Sequence, residues 1–273
     1  MKWWWILGSL AAAAVIVSLV IFQRTSLALT PLVRNEPFEV KVQFPEGWPE
    51  VGKTKHVHVL VSREGQPFDV YQNRYALHLI VANADFTSFF HTVELQEDEA
   101  GVYGAEVPFG PAGQYRVWVE VNDATAEQKH GEAAPLIAFT DFSVPAGTAS
   151  LTPMPLVRGQ EASVGPYTVT LKHGRFVAGQ ESTWQVQVKN AAGQVQTLLD
   201  PEPAIAVMLG PREDSEFSFF RHGHAHPAIQ GTTIQYTETF PVPGEYLFWI
   251  EIYLREGQNL AKLQVPFVLK VSE

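Results

Sequence analysis

The chain carries two copies of one sequence pattern. Residues 113–121, GQYRVWVEV, return as residues 244–252, GEYLFWIEI. Two further segments repeat in the same order: LTPLVR at 29–34 and, with two extra residues, at 151–158, then SFF at 88–90 and at 218–220. Three matches in one order predict a duplication, and two copies predict a pair of domains rather than a solenoid.

Apolar residues recur at every second position within each copy. Val57, Val59 and Val61 alternate with less apolar residues, and Trp184 and Val186 do the same in the second copy. Successive side chains of a strand point to opposite faces, so this period predicts half-buried strands. Further strands are predicted at 38–44, 76–82, 102–107, 115–121, 136–144, 167–172, 204–209, 233–240, 246–252 and 261–271.

Gly and Pro separate these segments, and no long helical period follows residue 28. The sequence therefore predicts an all-β protein with two tandem Ig-like antiparallel β-sandwich domains. Gly113-x-Tyr115 and Gly244-x-Tyr246 resemble the tyrosine corner of such domains. Buried aromatic residues dominate sandwich cores, so Trp118 and Trp249 are expected to be core anchors rather than a sugar platform.

The first 28 residues are predicted to be a membrane anchor or a signal segment. Residues 3–22 carry no charge, and a helix of that length spans the hydrocarbon core of a bilayer, about 30 Å. Signal-peptide cores are shorter, although residues 26–28 offer a small-residue cleavage site. The length favours an uncleaved single-pass anchor in the cell membrane, with the C-terminal domains periplasmic or extracellular. The predicted domains are residues 29–145 and 151–273, joined by the small-residue linker 146–150.

Composition excludes several classes of function. The net charge is −10 and the few Lys and Arg residues are scattered, which argues against a nucleic-acid partner. The chain has no cysteine, so disulfides, thiolate metal ligands, a lipidated cysteine and a cysteine nucleophile are excluded. Neither a Gly-x-Ser-x-Gly elbow nor a phosphate-binding glycine loop occurs. We therefore expect a protein that binds rather than catalyses.

Three of the nine histidines, His222, His224 and His226, lie at alternate positions. In an extended segment such residues share one face, where two imidazoles can bind one metal ion. Imidazole suits Cu(II) and Zn(II), so this stretch is the leading candidate for a copper or zinc site. Gly223 and Pro227 are equally compatible with a solvated turn whose histidines have no role.

A second candidate pair is His78 and His91. His78 lies in a predicted strand, and its equivalent in the second copy is predicted to be Ile205, which is typical of a packing position. The two histidines are nevertheless expected on neighbouring strands, where they can converge on a metal. Aligning the copies through Ser-Phe-Phe places Arg221 opposite His91, whereas a longer turn in the second copy would place His224 there.

His56 and His58 also lie at alternate positions, on the face opposite Val57. Their predicted equivalents are Thr183 and Gln185, which are ordinary solvent-facing strand residues. This favours an exposed polar face without a metal role.

Short motifs of the first copy resemble those of bacterial extracytoplasmic β-sandwich repeats associated with heavy-metal handling, broadly the CopC, FixH and YtkA-like groups. The motifs are LHLIV at 77–81, Asp85-Phe86, Phe90-His91 and Gly113-x-Tyr115. In these groups the motif runs Phe-x-His-x-His-Pro. The first copy has Val93-Glu94 at the two positions where the motif has His-Pro. The second copy keeps His224-x-His226-Pro227 but has Ile205 in place of the strand histidine.

The resemblance implies metal handling, with an incomplete ligand set in each copy. Either the site has decayed in both copies, or the domains complete one site between them, or the sandwiches serve as docking surfaces. The leading hypothesis is metal buffering or delivery through His224 and His226, with His222 assisting. The alternative is a non-catalytic structural or interaction module, an accessory subunit of a membrane or envelope complex.

Overall fold

The computed structural model describes the greater part of the chain after residue 37: residues 38–73, 75–93, 95–123, 136–147, 154–198, 204–210, 212–213, 216–217, 220–224, 232–256 and 259–273. The predicted membrane segment, residues 1–28, lies outside them. Within these ranges, no helix has the length and apolar character needed to cross a membrane. The chain divides into two compact units, one ending at Pro153 and the other beginning at Met154.

The described part of the first unit is a sandwich of two sheets. One sheet has the order β1-β2-β7-β6 with β3 beside β2, and the other has the order β5-β4-β8-β9, all antiparallel. The strands are β1 (Phe38–Gln43), β2 (Thr54–Arg63), β3 (Gln66–Pro67), β4 (Tyr75–Asn83), β5 (Phe89–Thr92), β6 (Gln96–Glu99), β7 (Val102–Pro108), β8 (Gly113–Asp123) and β9 (Leu136–Val144).

The second unit repeats this arrangement. One sheet has the order β10-β11-β13-β18, the other β12-β20-β19-β14-β17, and β15 and β16 form a separate hairpin. Pairing is antiparallel except between β12 and β20. The strands are β10 (Glu161–Val164), β11 (Tyr167–His173), β12 (Phe176–Val177), β13 (Glu181–Lys189), β14 (Ala204–Leu209), β15 (Arg212–Glu213), β16 (Glu216–Phe217), β17 (Phe220–His224), β18 (Thr233–Thr239), β19 (Gly244–Glu256) and β20 (Asn259–Ser272).

The strand orders confirm the predicted all-β class and its tandem antiparallel sandwiches. β5-β4-β8-β9 corresponds to β17-β14-β19-β20, and β1-β2-β7 corresponds to β11-β13-β18. Each unit has its own hydrophobic core, to which the alternate apolar residues contribute, including Val57 and Val59 in the first unit and Trp184 and Val186 in the second. The period of two in the sequence is therefore the alternation between core and outer face.

Both tyrosine corners are formed. The hydroxyl of Tyr115 donates to the carbonyl of Pro111 at 2.8 Å, and that of Tyr246 donates to the carbonyl of Val242 at 2.8 Å. The preceding glycine of each motif has a positive φ, 146° at Gly113 and 151° at the second copy's glycine, which side-chain-bearing residues rarely adopt. Burial raises the pKa of both hydroxyls.

The tryptophans of the repeat are buried, but not in the sandwich cores. Trp118 is 1% exposed, yet its neighbours Val117 and Val119 are the residues that face the core. Trp249 alternates in the same way with core residues of β19. The expectation of a core anchor is therefore wrong about the face, because the period of two places both indoles on the outer side of their sheets.

Candidate metal centre

Two histidines of the first unit lie on the outer face of the sheet β5-β4-β8-β9. On β4, Leu77 and Leu79 point into the core. His78 and Ile80 alternate with them and therefore point to the outer face. This outer face is nevertheless buried at both histidines, since His78 is 2% exposed and His91 is 3% exposed. A strand that is buried on both faces has the near-continuous apolar run seen in LHLIV, which His78 interrupts.

The strand register brings His78 and His91 together. β5 is aligned with β4 so that His91 is opposite Ile80. His78 is two residues from Ile80, and diagonal neighbours on one face are within reach of long or aromatic side chains. Nδ1 of His78 lies 3.4 Å from Nε2 of His91, and the rings are nearly parallel, with centroids 5.7 Å apart and an interplanar angle of 24°.

A nitrogen separation of 3.4 Å fits two arrangements. An N–H···N hydrogen bond would be long at this distance, since the usual value is about 2.9–3.0 Å. Two nitrogens bound to one tetrahedral zinc ion, each at about 2.0–2.1 Å, are about 3.3–3.4 Å apart. Adjacent nitrogens of a square-planar ion with similar bonds would be about 2.8–3.0 Å apart. The pair of His78 and His91 can therefore supply two ligands of a tetrahedral site.

A buried carboxylate accompanies the histidines. Glu120 of β8 is directly opposite His78 and is 2% exposed. The sequence hypotheses did not include Glu120. Its signal was present, because both copies place a glutamate between apolar residues at the same point of the repeated segment, Glu120 in GQYRVWVEV and Glu251 in GEYLFWIEI.

The equivalent carboxylate of the second unit is neutralised locally. Glu251 is 1% exposed. Its Oε1 accepts a hydrogen bond from Nε2 of Gln264 at 2.5 Å and lies 2.7 Å from Nζ of Lys262. In the first unit the position opposite Glu120 on β9 is Ile137, which offers no such amide. Glu251 thus has polar partners in a unit that carries Ile205 at the place of His78, whereas Glu120 lies opposite His78 itself.

The second unit places the leading candidates of the sequence differently. His222 and His224 lie on β17, opposite Val207 and Ile205. The segment is extended as far as His224, as the alternating pattern predicts, so Gly223 lies in a strand. Pro227, on which the predicted turn also depended, lies outside the described residues. His222 is half-buried. For His224 the structure describes the backbone alone, and His226 lies outside the described residues.

Strand register also fixes which residues of the two copies are equivalent. Ile205 is opposite Glu251 as His78 is opposite Glu120, so Ile205 occupies the place of His78, as predicted. His91 corresponds to His222, because His91 pairs with Ile80, His222 pairs with Val207, and Ile80 and Val207 are equivalent.

Both predicted equivalents of His91, namely Arg221 and His224, are therefore wrong. The segment between β14 and β17, residues 210–219, is longer than that between β4 and β5, residues 84–88. The two Ser-Phe-Phe motifs consequently differ by one residue in their strand positions: Phe220 corresponds to Phe89 and not to Phe90.

Solved structures with a similar arrangement have low sequence identity. They include the Escherichia coli adhesin FdeC (15% identity, TM-score 0.27, 86% of this chain and 64% of that chain) and a Salmonella alpha-2-macroglobulin reacted with methylamine (12%, 0.27, 90% and 15%). Fibronectin(III)-like modules of Clostridium thermocellum CbhA are similar at 12% identity, with a TM-score of 0.21 and coverage of 81% and 88%.

The chain spans less than two thirds of the adhesin and alpha-2-macroglobulin structures, and at these TM-scores the similarities carry no functional argument. No curated protein matches the sequence. Residues 162–273, which lie within the second unit, match a family described as a domain of unknown function, DUF8832.

Proposed function

We propose that the first unit binds a transition-metal ion through His78 and His91, and that the protein buffers or delivers this ion rather than catalysing a reaction. The observation that carries the proposal is the 3.4 Å separation of Nδ1 and Nε2 between two buried imidazoles. That separation favours Zn(II) over square-planar Cu(II), and it is equally suited to a tetrahedral copper ion.

The charge of the ion is compensated by Glu120. A divalent cation beside two neutral imidazoles would be costly to bury without a nearby negative charge. Glu120 is opposite His78 on the same outer face, and cross-strand partners have Cβ atoms about 4.5–5.5 Å apart. Its carboxylate serves either as a further ligand or as the group that orients His78.

Residues 3–22 anchor the protein in a membrane, with both sandwiches on the periplasmic or extracellular side. The support is the uncharged stretch in the sequence, which has the length of a membrane span. Such a location suits a protein that collects an ion outside the cytoplasm and passes it to a membrane or envelope partner.

Metal content after a chelator challenge tests the buried site. The full chain is purified without a histidine tag, equilibrated with limiting Zn(II) and Cu(II), desalted in the presence of a weak chelator and measured by elemental mass spectrometry. The variant is His78→Ile, which installs the residue that the second unit carries as Ile205. The matched control is His173→Gln, which removes a histidine that contacts the carbonyl of Gly174.

We expect near-stoichiometric metal in the parent and in the control, and trace metal in His78→Ile, while the metal-free forms of the parent and His78→Ile unfold at similar temperatures. Equal trace metal in all three proteins would contradict the proposal and leave the interaction module. A double variant, His224→Ala with His226→Ala, tests the other hypothesis, that the metal ion is bound by the alternating histidines of the second unit. If that variant loses the ion and His78→Ile keeps it, the site lies in the stretch of alternating histidines instead.

A further inference from the structure

The other sheet of the first unit presents a second pair of histidines. His56 and His58 lie on the outer face of β2, while Val57 between them is fully buried in the core. Their rings are 5.0 Å apart and nearly perpendicular, with an interplanar angle of 84°. The His56 side chain is 22% exposed, so solvent reaches it.

A carboxylate holds one of these rings. Glu106 of β7 is directly opposite His56, and Nδ1 of His56 lies 2.7 Å from Oε1 of Glu106. An ionised carboxylate only accepts hydrogen bonds, so Nδ1 carries a proton, and in the neutral imidazole Nε2 then has the lone pair that a metal ion needs. A histidine whose other nitrogen donates to a carboxylate is the usual form of a metal-binding histidine.

The position opposite His58 on β7 is Gly104, which places no side chain beside that ring. Glu106 is the next residue of β7 on this face and is therefore diagonal to His58. Two partly exposed imidazoles thus share one outer face with the Glu106 carboxylate, which contacts His56 and is diagonal to His58.

The second unit carries neutral residues at the same positions of its sheet. The residues equivalent to His56, His58 and Glu106 are Thr183, Gln185 and Thr237. They form neutral cross-strand hydrogen bonds: Thr183 Oγ1 lies 3.1 Å from Thr237 Oγ1, and Nε2 of Gln185 donates to Oε1 of Gln235 at 3.3 Å. In the first unit, residue types that bind metal occupy all three of these positions.

We propose that His56 and His58 form an exposed chelating site for a divalent transition metal, with Glu106 as the residue that positions His56. The site is independent of the buried histidine pair, because it lies on the other sheet of the sandwich. Its ion keeps water ligands and exchanges readily, and it takes up Cu(II) most strongly among the divalent first-row metals. The site therefore captures ions at the surface, in contrast to the retention proposed for His78 and His91.

Titration of the full chain with Cu(II), followed by electron paramagnetic resonance, tests this site. The background is His78→Ile, so that failure of the buried site and failure of the exposed site are distinguishable. Into this background are placed His56→Thr and His58→Gln together, which install the side chains that the equivalent strand of the second unit already tolerates.

We expect the His78→Ile protein to bind Cu(II) with the nitrogen hyperfine pattern of two imidazoles. Adding His56→Thr and His58→Gln should remove a full equivalent of that signal. Glu106→Gln should keep the two-nitrogen signal but weaken Cu(II) binding at least about tenfold, as expected for a residue that orients a ligand. Unchanged stoichiometry and spectrum after the double substitution would overturn the proposal.

A gain of binding provides the reciprocal test. Thr183→His, Gln185→His and Thr237→Glu transfer the group to the second unit. We expect an additional equivalent of Cu(II) with the same spectrum, and its absence in a folded protein would contradict the proposal that these three side chains are sufficient to bind the ion.

Discussion

The hydroxyl of Tyr246 ties its strand to the turn before β19, because it donates to the carbonyl of Val242 and accepts a longer hydrogen bond, 3.4 Å, from the amide of the same residue. The Tyr246 ring is fully buried, and its hydroxyl donates to the carbonyl of Val242 at 2.8 Å. Tyr246→Phe removes the donor and leaves the carbonyl to find another, so we expect a loss of about 1–2 kcal/mol in the free energy of unfolding at neutral pH. Urea denaturation measures this loss, and Tyr115→Phe, with the equivalent bond to Pro111, is the matched variant in the first unit.

The same tyrosine gives a prediction for alkaline pH. Burial raises the pKa of the Tyr246 hydroxyl above its ordinary value of 10.0. A group whose pKa is higher in the folded than in the unfolded state contributes its stability fully below the unfolded pKa, and this contribution is lost as pH rises through the folded pKa. Stability should therefore fall above about pH 10. The fall should be shallower in Tyr246→Phe, and identical slopes in both proteins would contradict the assignment.

At the scale of elements, the turn before β8 depends on one glycine. Gly113 has a φ of 146°, and a methyl group added there would meet no atom within 4 Å. The expected cost of Gly113→Ala is therefore backbone strain alone, about 1–3 kcal/mol. Gly159→Ala is the control, since its surroundings are equally open and its φ lies outside the left-handed range. Thermal unfolding should separate the two variants, and equal midpoints would show that the turn relaxes without strain.

The long strands were predictable from sequence because each carries several periods of alternation. The stretch predicted at 38–44 is β1, and the stretch predicted at 136–144 is β9. Strands of two to four residues, such as β3 and β12, carry too few positions to show a period. The length of β17 was also undecided, since Gly223 suits both a strand and a turn.

The candidate site was predictable in part for the same reason. Neighbouring antiparallel strands were enough to predict that His78 and His91 converge. The residue equivalent to His91 in the second copy could not be predicted, because it depends on the length of the segment between β14 and β17, and an alternating pattern gives no information on that length. Glu120 was missed because a single charged residue in an apolar strand is read as solvent-facing, whereas this sheet is buried on its outer face as well.

At the scale of the whole molecule, the two units have separate hydrophobic cores. Val59 and Val186 are fully buried at equivalent places in them. Truncation of either to alanine removes two methylene equivalents, and with the resulting cavity we expect a cost of about 2–3 kcal/mol. Hydrogen exchange measured by mass spectrometry should show lost protection within the unit that carries the substitution. Equal losses in both units would mean that the chain unfolds as one cooperative body.

In both copies, the core-facing residues of the strands are more alike than the outward-facing residues. Residues that point inward keep their apolar character in both copies. Outer positions are mixed: the tryptophan and glutamate of the repeated segment are kept, whereas His78 stands against Ile205 and His56 against Thr183. A substitution at an outer position leaves the packing between the two sheets of a sandwich unchanged, so chemistry can change there while the core is kept. One copy can therefore acquire a binding site on an outer face while the other copy, which keeps the same fold, does not.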